Sequence, residues 1–122
     1  MLTTHIYING QCSKAIELYV KALDAQIKTV IPKPGQEELI IHAEILIHGQ
    51  LLMLNDFGNQ DGPSKSGGYQ LSLRFDNADD LEKAYSLMKD GSKAVSPMQA
   101  TDYSDCVVRF IDRFDVRWAF WV

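Results

Sequence analysis

A repeated strand–helix pattern is the feature that most constrains the fold of this chain. Residues 68–91 (GYQLSLRFDNADDLEKAYSLMKDG) begin with the alternation of a strand and continue with the spacing of a helix. Asn77 is predicted to cap the start of this helix, and Gly91 to end it in a left-handed conformation. The same pattern occurs 65 residues earlier without a gap. The matching pairs are Ile6 with Leu71, Ile8 with Leu73, Ile16 with Leu81, Val20 with Tyr85, and Leu23 with Met88.

Each copy continues into three further strands. The strand-like segments are 25–32, 38–48 and 51–57 in the first half, and 93–101, 106–111 and 117–122 in the second. Each half therefore predicts a βαβββ module, a unit too long for a solenoid repeat. We expect one α+β domain over residues 1–122, in which two βαβββ modules form a curved mixed sheet around a central groove. The expected limits are about 1–57 for module one, 58–68 for a glycine-rich linker and 69–122 for module two.

Composition narrows the possible partners. The net charge is −4 and no run of Lys and Arg forms a basic stripe, so we expect no nucleic-acid partner. No apolar run approaches the roughly 20 residues that a membrane helix needs, and residues 1–10 lack the regions of a signal peptide. We therefore expect a cytoplasmic protein without a membrane partner. Its two cysteines, Cys12 and Cys106, are predicted to be structural thiols.

Strand alternation predicts which side chains face the groove. If the apolar face of each sheet packs under its own helix, the alternate residues point the other way. This set contains His5, Tyr7, Leu51, Met53, Asn55, Gln70, Ser72, Arg74, Arg117, Ala119 and Trp121, to which we add Tyr103 as a further aromatic residue. A polar strand face is either a solvated surface or a ligand cavity. Arg74 or Arg117 in a cavity would favour an anionic or carbonyl-bearing ligand.

A histidine and a carboxylate lie two residues apart in the clearest strand. His42 and Glu44 share one face, about 7 Å apart along the strand. Such a pair could bind a divalent metal or act as a general acid and base, or could be two polar residues on a half-exposed strand. Asp56, at the end of a strand, could cap a turn or act as a base.

Several segments resemble one known family. The chain resembles the glyoxalase/bleomycin-resistance/dioxygenase, or vicinal-oxygen-chelate, superfamily, and within it the small PhnB-like proteins. The segments that carry the resemblance are YING (7–10), CSKAIELY (12–19), HAE (42–44), LMLND (52–56), PMQ (97–99) and DRFDVRW (112–118).

The resemblance implies a groove that holds a divalent metal in catalytic members. Its ligand positions correspond here to His5, Met53, Gln70 and Ala119. A thioether and a methyl group stand where carboxylates are expected, and neither can replace a carboxylate for a hard divalent ion. We therefore expect no cofactor; if a divalent metal does bind, His5, Gln70 and Glu44 are the expected ligands. The resemblance also implies a homodimer.

Three functions remain open from the sequence. The first, which we favour, is a metal-independent protein that binds a small organic molecule, because two carboxylates are replaced and Tyr7, Tyr103 and Trp121 are aromatic residues of the predicted groove. The second is a metal-dependent glyoxalase, fosfomycin-resistance-type transferase or dioxygenase. The third is a structural or regulatory dimer without a ligand.

Overall fold

A computed structural model describes residues 1–8, 10–57 and 68–122, so all of the predicted linker except Gly68 lies outside the described residues. Two βαβββ modules follow one another, which confirms the α+β class. Module one contains β1 (Thr4–Tyr7), α1 (Cys12–Leu23), β2 (Gln26–Lys33), β3 (Gln36–Ile47) and β4 (Gln50–Asn55). Module two contains β5 (Leu71–Arg74), α2 (Ala78–Met88), β6 (Lys93–Gln99), β7 (Val107–Ile111) and β8 (Arg117–Trp121). They belong to two compact units, Met1–Ser64 and Lys65–Val122.

The first unit is a four-stranded mixed sheet in the order β1-β4-β3-β2. Strands β1 and β4 are parallel, and the other two pairings are antiparallel. Alternate residues of β3 and β4 are buried with one stripe of α1, which makes this face of the sheet the core side. The core includes Ala15, Ile16, Tyr19, Leu23, Ala43, Ile45, Leu52 and Leu54.

Asp56 joins three parts of the first unit. Its Oδ1 accepts a hydrogen bond from the backbone N–H of Cys12 at 3.0 Å, and its Oδ2 accepts one from that of Ile40 at 2.8 Å. The carboxylate thus lies at the N-terminus of α1, where it satisfies a free N–H and suits the helix dipole. Asp56 therefore caps the N-terminus of α1 and not a turn, the capping role considered from the sequence.

The second unit repeats the arrangement in the order β5-β8-β7-β6, again with one parallel pair, β5 with β8. Helix α2 packs on the sheet through Leu81, Ala84 and Met88, which are buried, and through Tyr85, whose ring centroid lies 5.0 Å from that of Phe110. The predicted N-cap is confirmed, because Asn77 Oδ1 accepts from the backbone N–H of Asp80 at 2.8 Å.

A buried carboxylate organises the turn between β7 and β8. Asp112 is 2% exposed. Its Oδ1 accepts from the backbone N–H groups of Phe114 (2.8 Å) and Val116 (3.0 Å), and its Oδ2 accepts from Trp118 Nε1 at 2.9 Å. Three alternate residues of the segment DRFDVRW (112–118) therefore donate a hydrogen bond to one carboxylate. These contacts give a structural role to Asp112 in this segment.

Two apolar side chains depart from the spacing of their elements. Alternation along residues 38–48 predicts that Ile41 shares the apolar face of Ala43 and Ile45, but Ile41 is 41% exposed, whereas Ile40 is 3% exposed. The register between β2 and β3 shifts there, since Ile31 pairs with His42 and Pro32 with Ile40, and the extra residue interrupts the alternation. Val20, at the edge of the α1 stripe, is also exposed.

The two cysteines and the end of α2 agree with the predictions from the sequence. Cys12 and Cys106 are buried free thiols. Gly91, just after α2, has a φ of 73°, which is the left-handed conformation expected of it. Neither helix of the described chain is long and apolar enough to cross a membrane.

Candidate functional site

The face of the first sheet that points away from α1 carries polar side chains in register. His5 of β1 lies opposite Met53 of β4, which in turn lies opposite Glu44 of β3. Tyr7 lies opposite Asn55 in the same ladder. His42 is two residues from Glu44 and so shares its face. Pairing of β1, β4 and β3 therefore brings the predicted residues His5, Tyr7 and Asn55 onto one surface with the His42–Glu44 pair.

His5, His42 and Glu44 form the histidine cluster. His42 Nε2 donates a hydrogen bond to Glu44 Oε2 at 2.9 Å. The rings of His5 and His42 are nearly perpendicular, with centroids 6.2 Å apart. Lys28 Nζ lies 3.9 Å from the other oxygen of Glu44, so a cationic group flanks the carboxylate on its second side. The cluster thus brings two imidazoles and one carboxylate onto one face of the sheet.

His5 is the unusual member of the cluster. Its Nε2 is buried and has no hydrogen-bond partner among the residues that the structure describes. Burial lowers the pKa of the imidazole below its ordinary value, and the neighbouring His42 lowers it further. A neutral ring has one nitrogen that donates and one that accepts a hydrogen bond. His5 therefore presents an unsatisfied polar atom beside the ring of Tyr7, whose centroid lies 5.0 Å away.

The residues at the four metal-ligand positions do not fit the metal of catalytic members. Met53 places a thioether between His5 and Glu44 in the ladder. Ala119 is a buried methyl group opposite Ser72, and Gln70 precedes β5 and is exposed. Only His5 is a strong ligand for a divalent ion. Within ranges 1–8, 10–57 and 68–122, no group of three His, Cys, Asp or Glu side chains is arranged to hold a metal.

The second sheet brings together most of the residues predicted for its module. Ser72 lies opposite Ala119 and Arg74 opposite Trp121. The guanidinium carbon of Arg74 lies 5.1 Å from the centroid of the Trp121 ring, and the ring centroids of Tyr103 and Trp121 are 6.3 Å apart. Arg117 shares the face of Trp121, four residues along β8.

Sequence reasoning missed Arg109 on this face. It lies opposite Ala119, and its Nη2 donates a hydrogen bond to the hydroxyl of Tyr103 at 2.8 Å. The signal that could have identified it is its position in the alternation of residues 106–111, two residues before Ile111.

Neither cysteine is suited to act as a nucleophile. Burial raises the pKa of the Cys12 thiol to about 12, with a further contribution from the charge of Asp56. Burial also raises the pKa of Cys106, and Glu82 adds to the effect. Because the thiolate is the reactive form, both groups are inert near neutral pH.

Comparison with known proteins gave one family and a consistent fold. Residues 3–120 match the family model of the Glyoxalase/Bleomycin resistance protein/Dioxygenase superfamily. An uncharacterized protein of Mycobacterium tuberculosis is 28% identical over 125 residues, covering 97% of this chain and 71% of that protein. An uncharacterized protein of Mycobacterium bovis is also 28% identical over 125 residues, covering 97% of this chain and 80% of that protein.

Solved structures with a similar fold include two close in size to this chain. One is described as a putative 3-demethylubiquinone-9 3-methyltransferase, PhnB protein, from Bacillus cereus: TM-score 0.87, 18% identity, covering 98% of this chain and 97% of that one. A protein from Pseudomonas aeruginosa has TM-score 0.88 and 21% identity, covering 99% and 96%. The fosfomycin resistance protein FosX from Listeria monocytogenes has TM-score 0.72 and 10% identity, covering 99% and 90%. At these identities the likeness concerns the fold alone.

Proposed function

We propose that this chain, which belongs to the glyoxalase/bleomycin resistance protein/dioxygenase superfamily, binds a small organic molecule on the polar face of its first sheet, without the metal of catalytic members. The observation that carries the proposal is the buried Nε2 of His5, which lacks a partner among the described residues. An unpaired buried polar atom costs about 1–3 kcal/mol. A ligand that supplies the missing hydrogen bond would recover part of this free energy.

The surroundings of His5 suit a ligand with a polar group and an apolar body. The neutral imidazole would meet the polar group, and the half-exposed ring of Tyr7, beside it, would contact the apolar part. Asn55, opposite Tyr7, adds an amide NH₂ on the same face, since its Oδ1 already accepts from the backbone N–H of Phe57 at 3.3 Å. The other residues predicted for the groove belong to the second unit: Gln70, Ser72, Arg74, Tyr103, Arg117 and Trp121.

A thermal-shift screen with a library of small organic molecules tests this function. A ligand that binds the folded state raises its stability by an amount that grows with the logarithm of excess ligand. We expect the shift of a genuine hit to be lost in His5→Asn and reduced in Tyr7→Ala. His48→Asn, which removes an exposed imidazole after β3, serves as the matched control and should keep the shift. The proposal would be contradicted if every hit of the library shifted His5→Asn and Tyr7→Ala as it shifts the wild type.

A metal-dependent enzyme of the glyoxalase, fosfomycin-resistance or dioxygenase type is the second candidate. Its specific support is His5, the one strong ligand among the four family positions, with the ring of His42 6.2 Å from it. Measurement of the metal content of the purified protein, followed by titration with zinc, nickel and manganese, separates the two candidates. Tight stoichiometric binding that is lost in His5→Ala would replace the metal-free proposal. A library without hits, combined with a stable homodimer in solution, would instead favour the structural or regulatory dimer.

A further inference from the structure

The second sheet has a charge balance opposite to that of the whole chain. The net charge of the protein is −4. The strands β5, β6, β7 and β8 nevertheless contain no Asp or Glu and four basic residues: Arg74, Lys93, Arg109 and Arg117. Positive charge concentrated on one surface of an acidic protein produces a local potential that attracts anions.

All four basic side chains lie on one face of the sheet. Lys93 pairs with Ile111 and Ile111 with Arg117, Arg109 pairs with Ala119, and Arg74 pairs with Trp121. Since these partners alternate by two along β7 and β8, the set shares a face. The opposite face packs on α2, as the contact between Tyr85 and Phe110 shows. We call the set Arg74, Lys93, Arg109 and Arg117 the basic face.

Ala119 lies in the middle of the basic face. Ser72 and Arg109 lie beside it on the neighbouring strands, and Arg117 and Trp121 lie before and after it on its own strand. Diagonal neighbours in a sheet have Cα atoms about 7–8 Å apart, a distance that long arginine side chains can bridge. Ala119, the smallest side chain on this face, therefore has two guanidinium groups, a hydroxyl group and an indole as its neighbours.

The basic face has no carboxylate partner in the described part of the chain. The two ion pairs found there both involve Glu44 in the first unit. Arg109 donates instead to the hydroxyl of Tyr103, and Arg74 lies over the ring of Trp121. Arg109 and Arg117 are also partly buried. Like charges that are partly desolvated and lack counter-charges repel one another, and a bound anion would remove that repulsion.

We propose that the basic face binds an organic anion whose carboxylate or phosphate group is held by Arg109 and Arg117. The planar guanidinium groups match the geometry of both anions and can form two parallel hydrogen bonds to one of them. The rings of Trp121 and Tyr103, 6.3 Å apart, provide an aromatic edge for a planar apolar body attached to the anion. This site uses residues of the second unit and does not depend on the function proposed for the first.

The full chain can be titrated with three probes that share a phenyl ring. Benzoate and phenyl phosphate carry the two candidate anions, and benzyl alcohol is the neutral control. We expect saturable shifts of the Trp121 indole and Ala119 methyl NMR signals with both anions, at a Kd on the order of 1 mM for probes of this size. Binding should weaken as salt is added. The tighter of the two anions identifies the preferred head group.

Variants then test the assignment of the arginines. Arg109→Gln and Arg117→Gln should each raise the Kd of benzoate roughly tenfold, the usual effect of losing a hydrogen bond to a charged group. Arg113→Gln, in the turn between β7 and β8, makes the same change in net charge and should alter the Kd less than about twofold. His5→Asn should leave benzoate binding unchanged, which separates this site from that of the first unit.

Three results would overturn the proposal. The first is the absence of a saturable shift with either anion at about 10 mM, tenfold above the expected Kd. The second is equal binding of benzyl alcohol, which would show that no anion site is involved. The third is an effect of Arg113→Gln as large as those of Arg109→Gln and Arg117→Gln, because it would indicate only a general charge effect.

Discussion

His5 lies on an edge strand of the first sheet but has a buried ring nitrogen, and both properties follow from the pairing of β1 with β4. This nitrogen, Nε2, has no partner in the described chain. The sequence could place His5 on the polar face, because the alternation of β1 is local. It could not indicate that His42, 37 residues away, would lie near its ring, because this depends on how β1, β4 and β3 pair.

The lowered pKa of His5 predicts a pH dependence of stability. The ordinary histidine pKa is about 6.5, and the value in the folded chain lies below it. The unfolded chain therefore binds more protons between these two values, so stability falls as the pH drops below about 6.5 and through the folded-state pKa. We expect the difference in unfolding free energy between pH 7 and pH 5 to be smaller in His5→Asn than in the wild type.

Urea unfolding at the two pH values measures this difference, and NMR titration of the His5 ring protons reports its pKa directly. A His5 pKa at or above the ordinary value would contradict the prediction.

At the scale of elements, the hairpin of β7 and β8 depends on one carboxylate. Asp112→Ala removes the carboxylate that accepts from the N–H groups of Phe114, Val116 and Trp118, and it should destabilise the protein by roughly 3 kcal/mol. Asp112→Asn keeps one acceptor oxygen for the turn but places an amide NH₂ against Trp118 Nε1. Its destabilisation should be about half as large.

The measurement is urea unfolding together with the chemical shift of the Trp118 indole N–H. Asp115→Asn is the control, because Asp115 has a φ of 65°, a conformation that asparagine also tolerates, and its substitution should change stability little. Equal stabilities of Asp112→Ala and Asp112→Asn would show that the turn does not need the acceptor.

The order of the helices and strands was predictable from the sequence. The single residues that depart from the periodic pattern of their element were not. The helices and most strands follow from spacings that repeat within a few residues. Ile41 is exposed because the register between β2 and β3 shifts beside it. Arg109 was not predicted because its hydrogen bond to Tyr103 joins a strand residue to a residue outside that strand. Asp56 was ambiguous for the same reason: the groups that donate to it belong to residues 44 and 16 positions away.

At the scale of the whole molecule, the duplication fixes the architecture but not the chemistry. The two sheets have the same order of strands, yet one carries the histidine cluster and the other the basic face. A repeat conserves the apolar positions that pack under each helix, and the opposite face is free to differ. The 65-residue offset therefore predicted both modules from Ile6, Leu71 and their neighbours, while Arg109 had to be found in the structure.

The two buried thiols can test whether the modules unfold as one domain. Cys12 belongs to the first unit and Cys106 to the second. Both are buried with raised pKa values, about 12 for Cys12, so we expect neither to react with iodoacetamide near neutral pH in the native state. Added urea should expose both thiols at the same midpoint if residues 1–122 form one cooperative domain, as the sequence analysis predicts.

Mass spectrometry of the labelled peptides gives the two midpoints separately. Fully denatured protein, in which both thiols must react to completion, is the control for the labelling chemistry. Coincident midpoints would support a single cooperative transition that includes both sheets. Clearly separate midpoints would contradict the single-domain prediction and show that each βαβββ unit opens with its own free energy. In that case a ligand of the histidine cluster and an anion on the basic face would each stabilise only the unit to which it binds.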